Sequence, residues 1–485
     1  MELFELIAKE EILYPQDIAD TADIAGVCCD TRILRAGEAF FAMPGVKDDG
    51  TAYAAEAAKK GASCIVAEKA FAAELPVPVL LVRDVRAAFA RACFAAAGNP
   101  QDKLKIIGVT GTNGKTTVTN VLRKIITDAG KKCAMFTTVG YDVCGAFHPS
   151  SHTTPPPEKL APLFAEAVAN GAEYAVMEVS SHAIAQSRVG ALRFEAGIFT
   201  NITRDHLDYH KTMEEYTRVK ASFFALCRRS VINLDDEKAQ DIASGATENV
   251  YFVSACKDAD YRIEDVNISP EGMSYTLTHG GERTPISLCV AGDFNIYNTA
   301  EAAVAASLAG FDMAGIAASL ADFSGVAGRM ETVAKTALPY TVIIDYAHTP
   351  DALIKALTAC RKITRGKLYC VFGCGGNRDR GKRFEMGDIA TRLADIAVIT
   401  SDNPRNEVPE DIIADIVSGV RDGRRNYVTV VSRKEAIEYA LENARAGDVI
   451  LLAGKGHENY IIDKDGTHYF SEKDIVMNFT ERKEF

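Results

Sequence analysis

Apolar runs of four to six residues alternate with helix-like stretches along much of this chain, most clearly in its last third. There Val342–Asp345, Leu368–Phe372, Ile396–Thr400, Val428–Val431 and Val449–Leu452 read as strands, with Pro350–Ile363 and Pro409–Val420 as helices. Short apolar runs alternating with helices imply a parallel, doubly wound sheet, and such sheets gather ligands beyond the carboxyl ends of their strands. The polar clusters Asp345–Asp351, Gly373–Arg383, Asp402–Glu407 and Gly454–Glu458 all begin at those ends. The middle of the chain alternates too, with strands expected at Leu104–Val109, Ala172–Met177 and Ala196–Phe199. Breaks fall at Gly98–Asp102 and near Thr332–Pro339, and the residues before the first break read as a small α/β unit.

Length and composition agree with three such units. The 485 residues are 47 % hydrophobic and 25 % charged, which describes a globular protein with about three domains. Lys and Arg total 54 against 66 Asp and Glu, a net charge of −12 that argues against a nucleic-acid binder. No apolar run approaches the roughly 18 residues of a membrane span. The start, Met1-Glu2-Leu3-Phe4-Glu5, lacks a signal-peptide pattern, so a cytoplasmic protein is expected. Twelve cysteines without paired CxxC motifs read as reduced, mostly buried thiols.

Candidate chemistry begins at Gly111-Thr112-Asn113-Gly114-Lys115-Thr116-Thr117, which follows a strand and opens a helix running to about Ala129. Glycines let backbone N–H groups turn inward, and the helix N-terminus favours anions. Lys115 reaches terminal phosphates and Thr116 can ligate Mg²⁺. Val109 takes the usual first-glycine position, yet the strand–loop–helix context predicts ATP or GTP binding. The fold expected is therefore α/β in three domains. Residues 1–100 form a small N-terminal α/β domain, 101–332 a central P-loop ATPase-type parallel-sheet domain, and 333–485 a C-terminal Rossmann-like domain.

Glu178 closes an apolar stretch, where an acidic Mg²⁺ ligand beside a P-loop belongs, although a strand-end carboxylate is often only a cap. Thr200–His210 holds two histidines and two aspartates within six residues and suggests a second metal- or phosphate-handling loop. Lys220 lies in a helical segment, and composition alone makes it an ordinary solvated lysine.

Together GTNGKTT, MEVSSHA, TNITRDHLDYH and GDFNIYNTAEA, in this order, resemble the Mur ligases, which build the peptidoglycan peptide by ATP-driven amide formation. Asp30-Thr31-Arg32, Thr153-Thr154-Pro155, Gly373–Asp379, Asp402-Asn403-Pro404-Arg405 and Gly454–Glu458 extend the resemblance over essentially the whole chain and imply its diaminopimelate-adding branch. At matching positions the resemblance implies that Thr31 and the Gly45–Asp49 loop, with Val46 and Lys47, hold a uridine nucleotide. Thr153, Thr154, Ser180, Gln186 and Arg188 would hold the UDP-linked muramoyl-dipeptide. Thr116, Glu178 and His206 would serve Mg²⁺, and Lys220 matches the family's carbamylated lysine. Asn295, Arg329 and Asp345 would contact ATP, Asp345 through ribose hydroxyls. Diaminopimelate would fall to Arg378, Asp402, Asn403, Pro404, Arg405, Gly454 and Glu458. Its second amino-acid head needs a cation for the extra carboxylate, which Arg405 supplies, and acceptors for the extra ammonium. Asn377 departs from the Asp of many relatives.

The implied reaction passes through an acyl phosphate that the amine of the incoming amino acid attacks. Small-molecule substrates are the only partners expected, with neither nucleic acid nor membrane, in a monomer. A lysine-adding homologue, a folylpolyglutamate-synthase-like ligase and a nucleotide-switch protein are the competing readings. A switch has no need of the carboxylate and arginine clusters in the last domain.

Overall fold

The computed structural model describes the chain except residues 8–10, 15–23, 46–48, 71–74, 270–271, 291, 334–337 and 484–485. The described residues form three large sheets and a two-stranded hairpin. The first sheet runs in spatial order Ile12–Tyr14, Val79–Val82, Cys64–Ala67, Glu38–Phe41, Gly26–Cys28, parallel except for the antiparallel Ile12–Tyr14 edge. The helix Val85–Ala96 follows it, capped by Asp84, whose carboxylate accepts from the Ala87 N–H.

The second sheet has eleven strands. Its parallel centre runs Asn249–Ser254, Arg229–Asn233, Ala196–Phe199, Lys105–Thr110, Tyr174–Glu178, Cys133–Phe136. The registers Glu178 to Val109 and Phe199 to Thr110 bring three strand ends level. Three chain segments distant in sequence therefore leave the sheet side by side.

Both edges of this sheet turn antiparallel, which the helix–strand alternation did not predict. Tyr261–Ser269, Gly272–His279 and Glu282–Leu288 form a meander at one edge, and Gly140–Val143 with Ala146–Pro149 a hairpin at the other. Gly272–His279 buries every second residue. Met273, Tyr275 and Leu277 thereby join the same core as the helix Phe294–Leu308.

The third sheet runs Glu331–Thr332, Thr341–Asp345, Val449–Ala453, Leu368–Phe372, Ile396–Ile399, Tyr427–Thr429, all parallel except the first strand. Helix Pro350–Ile363 forms over its whole expected length because Thr349 caps it and Pro350 occupies its first position. Three expectations in this unit shift or shorten. The strand expected at Val428–Val431 is Tyr427–Thr429, the one at Ile396–Thr400 ends at Ile399, and Pro409–Val420 stays helical only to Val417, before Ser418-Gly419. Glu331–Thr332 already pairs with this sheet, so the sheet reaches back across the expected break. Among the described residues no helix is long and apolar enough to cross a membrane.

Candidate functional site

The phosphate loop leaves the central strand Lys105–Thr110 and enters the helix Lys115–Asp128. Gly111 and Gly114 both have φ in the left-handed region, at +149° and +89°, where a side chain is strained. A Cβ at Gly111 would also strike Thr200 Oγ1, and one at Gly114 would strike Asn298 Oδ1. Lys115 Nζ donates to the carbonyls of Gly111 (2.9 Å) and Thr112 (2.8 Å), and desolvation pulls its pKa below the ordinary lysine value. Thr117 lies buried in the first turn of the helix.

Thr116 Oγ1 donates to Glu178 Oε1 at 2.9 Å and receives Arg329 Nη2 at 3.2 Å. Glu178, 1 % exposed, also accepts from the Thr138 N–H and hydroxyl. The strand register sets this meeting, because the Glu178 strand lies directly beside the strand feeding the loop.

Lys220 corrects the reading from composition alone. It is 1 % exposed, and its Nζ donates to the Gly111 carbonyl (3.0 Å) and Thr110 Oγ1 (3.3 Å) above the Tyr216 ring. Desolvation, reinforced by Lys115, drives its pKa well below 10.5 against a smaller opposing pull from Asp205. Burial of this kind favours the uncharged amine over the ammonium. His206 is exposed, with φ 54°, and its ring stands edge-on to that of His182 at 4.9 Å. Tyr209, His210 and Tyr216 continue this aromatic group.

A second wall of the crevice gathers Thr153, Thr154, Ser180, Gln186 and Arg188. Thr154 Oγ1 donates to the Glu178 carbonyl (2.8 Å) and accepts from the Ser180 N–H (3.0 Å), while Thr153 Oγ1 accepts from Thr138. Arg188 grips the Thr154 carbonyl at 2.9 Å and Gln186 Oε1 at 2.7 Å. Thr31 and Gly45 follow strands of the first sheet, Gly26–Cys28 and Glu38–Phe41. Thr31 is buried and its carbonyl accepts from Lys60 Nζ, and Gly45 is exposed. Val46 and Lys47 lie outside the described residues.

Across the crevice, Arg329 stacks over the Tyr346 ring at 4.5 Å. Asp345 accepts from the Met330 (2.7 Å) and Ala347 (2.8 Å) N–H groups. Desolvation raises its carboxyl pKa, and Arg329 and those N–H groups pull it back. Asn295 is buried on the helix Phe294–Leu308, its Oδ1 accepting from Asn298. Arg405 has φ 53°, and its Nη1 rests on the carbonyls of Gly376 (3.0 Å) and Asn403 (3.3 Å). Arg378 is exposed nearby, and the Pro404 carbonyl packs against Gly376. Asn377 sits at φ 53°, a conformation asparagine tolerates, and its Oδ1 accepts from the Asn406 N–H.

Asp402, Asn403 and Glu458 already belong to a buried network. Asn403 donates to Glu458 Oε2 (2.8 Å) and accepts from Lys455 Nζ (3.1 Å) and the Ile462 N–H. Asp402 lies 3.7 Å from the guanidinium of the fully buried Arg433, which also binds Glu472 and the Ala453 carbonyl. Gly454, φ +116°, leaves room for the Asp402 carboxylate. Sequence reasoning missed Arg433, Lys455 and Glu472. It also missed Arg383, a buried arginine bound to Asp415 and to Glu407, whose carboxyl it holds at about 2. Only the neighbouring motifs pointed to these residues.

The described contacts thus join phosphate loop, Glu178, Lys220 and the Thr153–Arg188 wall at the carboxyl ends of one sheet's strands, with Arg329, itself beside Asp345, reaching Thr116 from the other side, while Arg405 sits among the loops of the last sheet. Profiles of three families match this chain: "Mur ligase family, catalytic domain" over residues 23–96, "Mur ligase middle domain" over 109–306 and "Mur ligase, glutamate ligase domain" over 328–456. A UDP-N-acetylmuramoyl-L-alanyl-D-glutamate–2,6-diaminopimelate ligase of Clostridium tetani is 41 % identical over 95 % of both chains. The enzyme of that name from Gloeobacter violaceus is 44 % identical over 95 % of this chain and 94 % of its own. A solved structure of a ligase of the same name superposes with a TM-score of 0.71 at 31 % identity, covering 100 % of this chain and 99 % of its own. A folylpolyglutamate synthase of Mycobacterium tuberculosis shares the fold, with a TM-score of 0.61 at 18 % identity over 76 % of this chain and 92 % of its own. This chain belongs to the Mur ligase family.

Proposed function

We propose that this chain is the ATP-dependent ligase that joins meso-2,6-diaminopimelate to the D-glutamate γ-carboxylate of UDP-N-acetylmuramoyl-L-Ala-D-Glu, a step of peptidoglycan precursor synthesis. The full-length similarity to ligases of that name supports the reaction. One observation carries the choice of amino acid. Arg405 stands at the strand-end crevice with its guanidinium on backbone carbonyls and, among the described residues, on no carboxylate. It is a planar cation in position for the second carboxylate that lysine lacks.

Residues 1–100 take the uridine nucleotide through Thr31 and the loop from Gly45, residues 101–332 take ATP, and residues 333–485 take the amino acid. Thr153, Thr154, Ser180, Gln186 and Arg188 hold the dipeptide beside the phosphate loop, with Arg188 for its carboxylate. Gly111–Thr117 wraps the ATP phosphates, and Asn295, Arg329 and Asp345 hold the rest of the nucleotide. Arg405 and Arg378 orient diaminopimelate, while Asp402, Asn403, Pro404, Gly454 and Glu458 shape its pocket. The internal hydrogen bonds of Asn403 make it a wall more than a free acceptor.

The hydroxyl of Thr116 and the carboxylate of Glu178, 2.9 Å apart beside the phosphate loop, are the all-oxygen donors Mg²⁺ takes together with phosphate oxygens and water. On the resemblance, His206 would add a ring nitrogen to those oxygens. Thr116 and Glu178 would hold Mg²⁺ there, and it would supply positive charge to offset that on the transferring phosphoryl group. The neutral Lys220 amine can attack CO₂: an N–C bond forms, a proton leaves to water, and an anionic carbamate faces the phosphate loop. Lys115 holds the transferring γ-phosphate as the dipeptide carboxylate attacks it, giving an acyl phosphate and ADP. The diaminopimelate amine then attacks the acyl carbon and phosphate leaves. No side chain acts as covalent nucleophile, so positioning and electrostatics supply the catalysis. With this reading goes the expectation of a cytoplasmic monomer that acts on small-molecule substrates.

Phosphate release measured with ATP, UDP-muramoyl-dipeptide and either diaminopimelate or lysine tests the proposal. Turnover with diaminopimelate and little with lysine is expected. Release that needs no amino acid overturns the ligase assignment, and equal rates with lysine overturn the role of Arg405.

A further inference from the structure

The phosphate loop and the loop after the neighbouring strand are sewn into one unit. The Asn113 N–H donates to Asn201 Oδ1 (3.1 Å), and the Asn113 carbonyl accepts from Thr200 Oγ1 (2.6 Å) and Asn201 Nδ2 (3.2 Å). The Thr203 N–H donates to Thr112 Oγ1 at 3.0 Å. With its main chain fixed in this way, Asn113 turns its side-chain amide outward. Nδ2 crosses the crevice to the last unit and donates to Asp351 Oδ2 at 3.0 Å. Thr203 Oγ1 donates to the same oxygen at 3.3 Å.

Asp351 occupies the first turn of the helix Pro350–Ile363, directly after the strand-end cluster that holds Asp345 and Tyr346. A first-turn acid paired with Lys355 one turn on, here at 2.9 Å, is an ordinary helix feature that accounts for one of the three donors. The other two come from a different sheet unit, 238 and 148 residues away in sequence. Helix stability has no use for them. Two charge-assisted hydrogen bonds across the crevice fix the last unit against the loop that wraps the nucleotide phosphates.

We propose that Asp351 is a positioning residue, a latch through which the phosphate loop holds the last unit closed and sets the amino-acid site over the reacting carboxylate. Any rearrangement of Gly111–Thr117 around a polyphosphate moves the Asn113 amide and so makes or loosens the latch. Nucleotide occupancy is thereby coupled to the approach of the amine. The latch rests on the reading that ATP binds this loop and the last unit brings the amino acid, but not on which amino acid that is.

The test combines kinetics with solution scattering. Asp351→Ala should lower kcat/KM for diaminopimelate by roughly ten- to hundredfold, the size of a lost charge-assisted hydrogen bond. A non-hydrolysable ATP analogue with UDP-muramoyl-dipeptide should compact the wild-type protein, and Asp351→Ala should abolish that compaction. Asp351→Asn keeps an oxygen for both donors and should regain most of the loss, which a purely electrostatic role on the helix would not allow. Lys355→Ala should stay near wild type. Thr203→Val should lose activity alone but add little to Asp351→Ala, since both remove one contact. Thr203→Val also probes the latch from the other side should Asp351→Ala fold poorly. Near-wild-type Asp351→Ala, an Asp351→Asn as poor as Asp351→Ala, a Lys355→Ala loss of equal size, or multiplying losses in the double variant overturns the latch. If lysine proves to be the substrate, the specificity assignment fails while compaction and the double-mutant comparison, run with lysine, still report on Asp351.

Discussion

At the scale of single residues, Lys220 shows how far environment outweighs identity. Its side chain is an ordinary lysine in sequence and a desolvated amine in the fold, because Thr110 and Gly111, more than a hundred positions away, close over it. Lys220→Ala should remove nearly all ligase activity, and short carboxylates should restore part of it. Enzyme held in ¹³C-labelled bicarbonate should show a carbamate carbon signal that Lys220→Ala lacks. In CO₂-free protein the sign is definite. The unfolded lysine takes up its proton below about 10.4 and the folded one only at lower pH, so stability declines as pH falls below that value. Lys220→Met should therefore raise the melting temperature of CO₂-free enzyme while leaving it inactive. Arg405→Ala should raise KM for diaminopimelate about ten- to hundredfold, as loss of a charge-assisted hydrogen bond would. Lysine turnover should change little, and steady-state kinetics with both amino acids checks this. The phosphate loop and Glu178 were legible residue by residue, since loop glycines and strand-end acids act where local sequence puts them. Arg433 was not, since its partners Ser401, Ala453 and Glu472 come from three separated segments.

At the scale of elements, local signals predicted what local forces decide. Pro350–Ile363 carries its own cap and first-turn proline, and Leu368–Phe372 is a buried strand over its full apolar run. The antiparallel meander at Tyr261–Leu288 escaped the alternation because its place is set by covering the helix Phe294–Leu308, a tertiary demand. That helix also buries Glu301, whose two carboxylate oxygens have no hydrogen-bond partner and whose pKa desolvation raises well above 4.5. The folded state keeps the proton while the unfolded state sheds it above about 4.3, so this group costs stability increasingly as pH rises from there. Glu301→Gln should be nearly neutral near pH 4.5 and progressively stabilising toward pH 8, as denaturant unfolding at several pH values will show. In the last sheet, Arg433→Met strands Asp402 and Glu472 in the interior and should cost about 3–5 kcal/mol of stability. The same unfolding measurement reads it.

At the scale of the whole molecule, a net charge of −12 must accommodate ATP and a UDP-linked peptide, both anionic. Attraction therefore rests on local cations (Lys115, Arg188, Arg329, Arg405) set along one crevice within an acidic surface. The twelve cysteines are all free thiols, and only Cys256 and Cys289 are exposed. Alkylation of the native enzyme followed by mass spectrometry should label those two first. The buried ones, such as Cys133 and Cys370, should react only after unfolding. The sequence by itself determined the α/β class, the phosphate loop, the strand-end position of the polar clusters and the family, because each is written in contiguous residues or in their order. Tertiary structure alone decided that Lys220 is buried with its pKa lowered, that Asn403 is spent on an internal network, and that Asp351 reaches the phosphate loop. Those outcomes depend on sheet register and on which units face each other, and these are fixed by contacts between segments far apart in the chain.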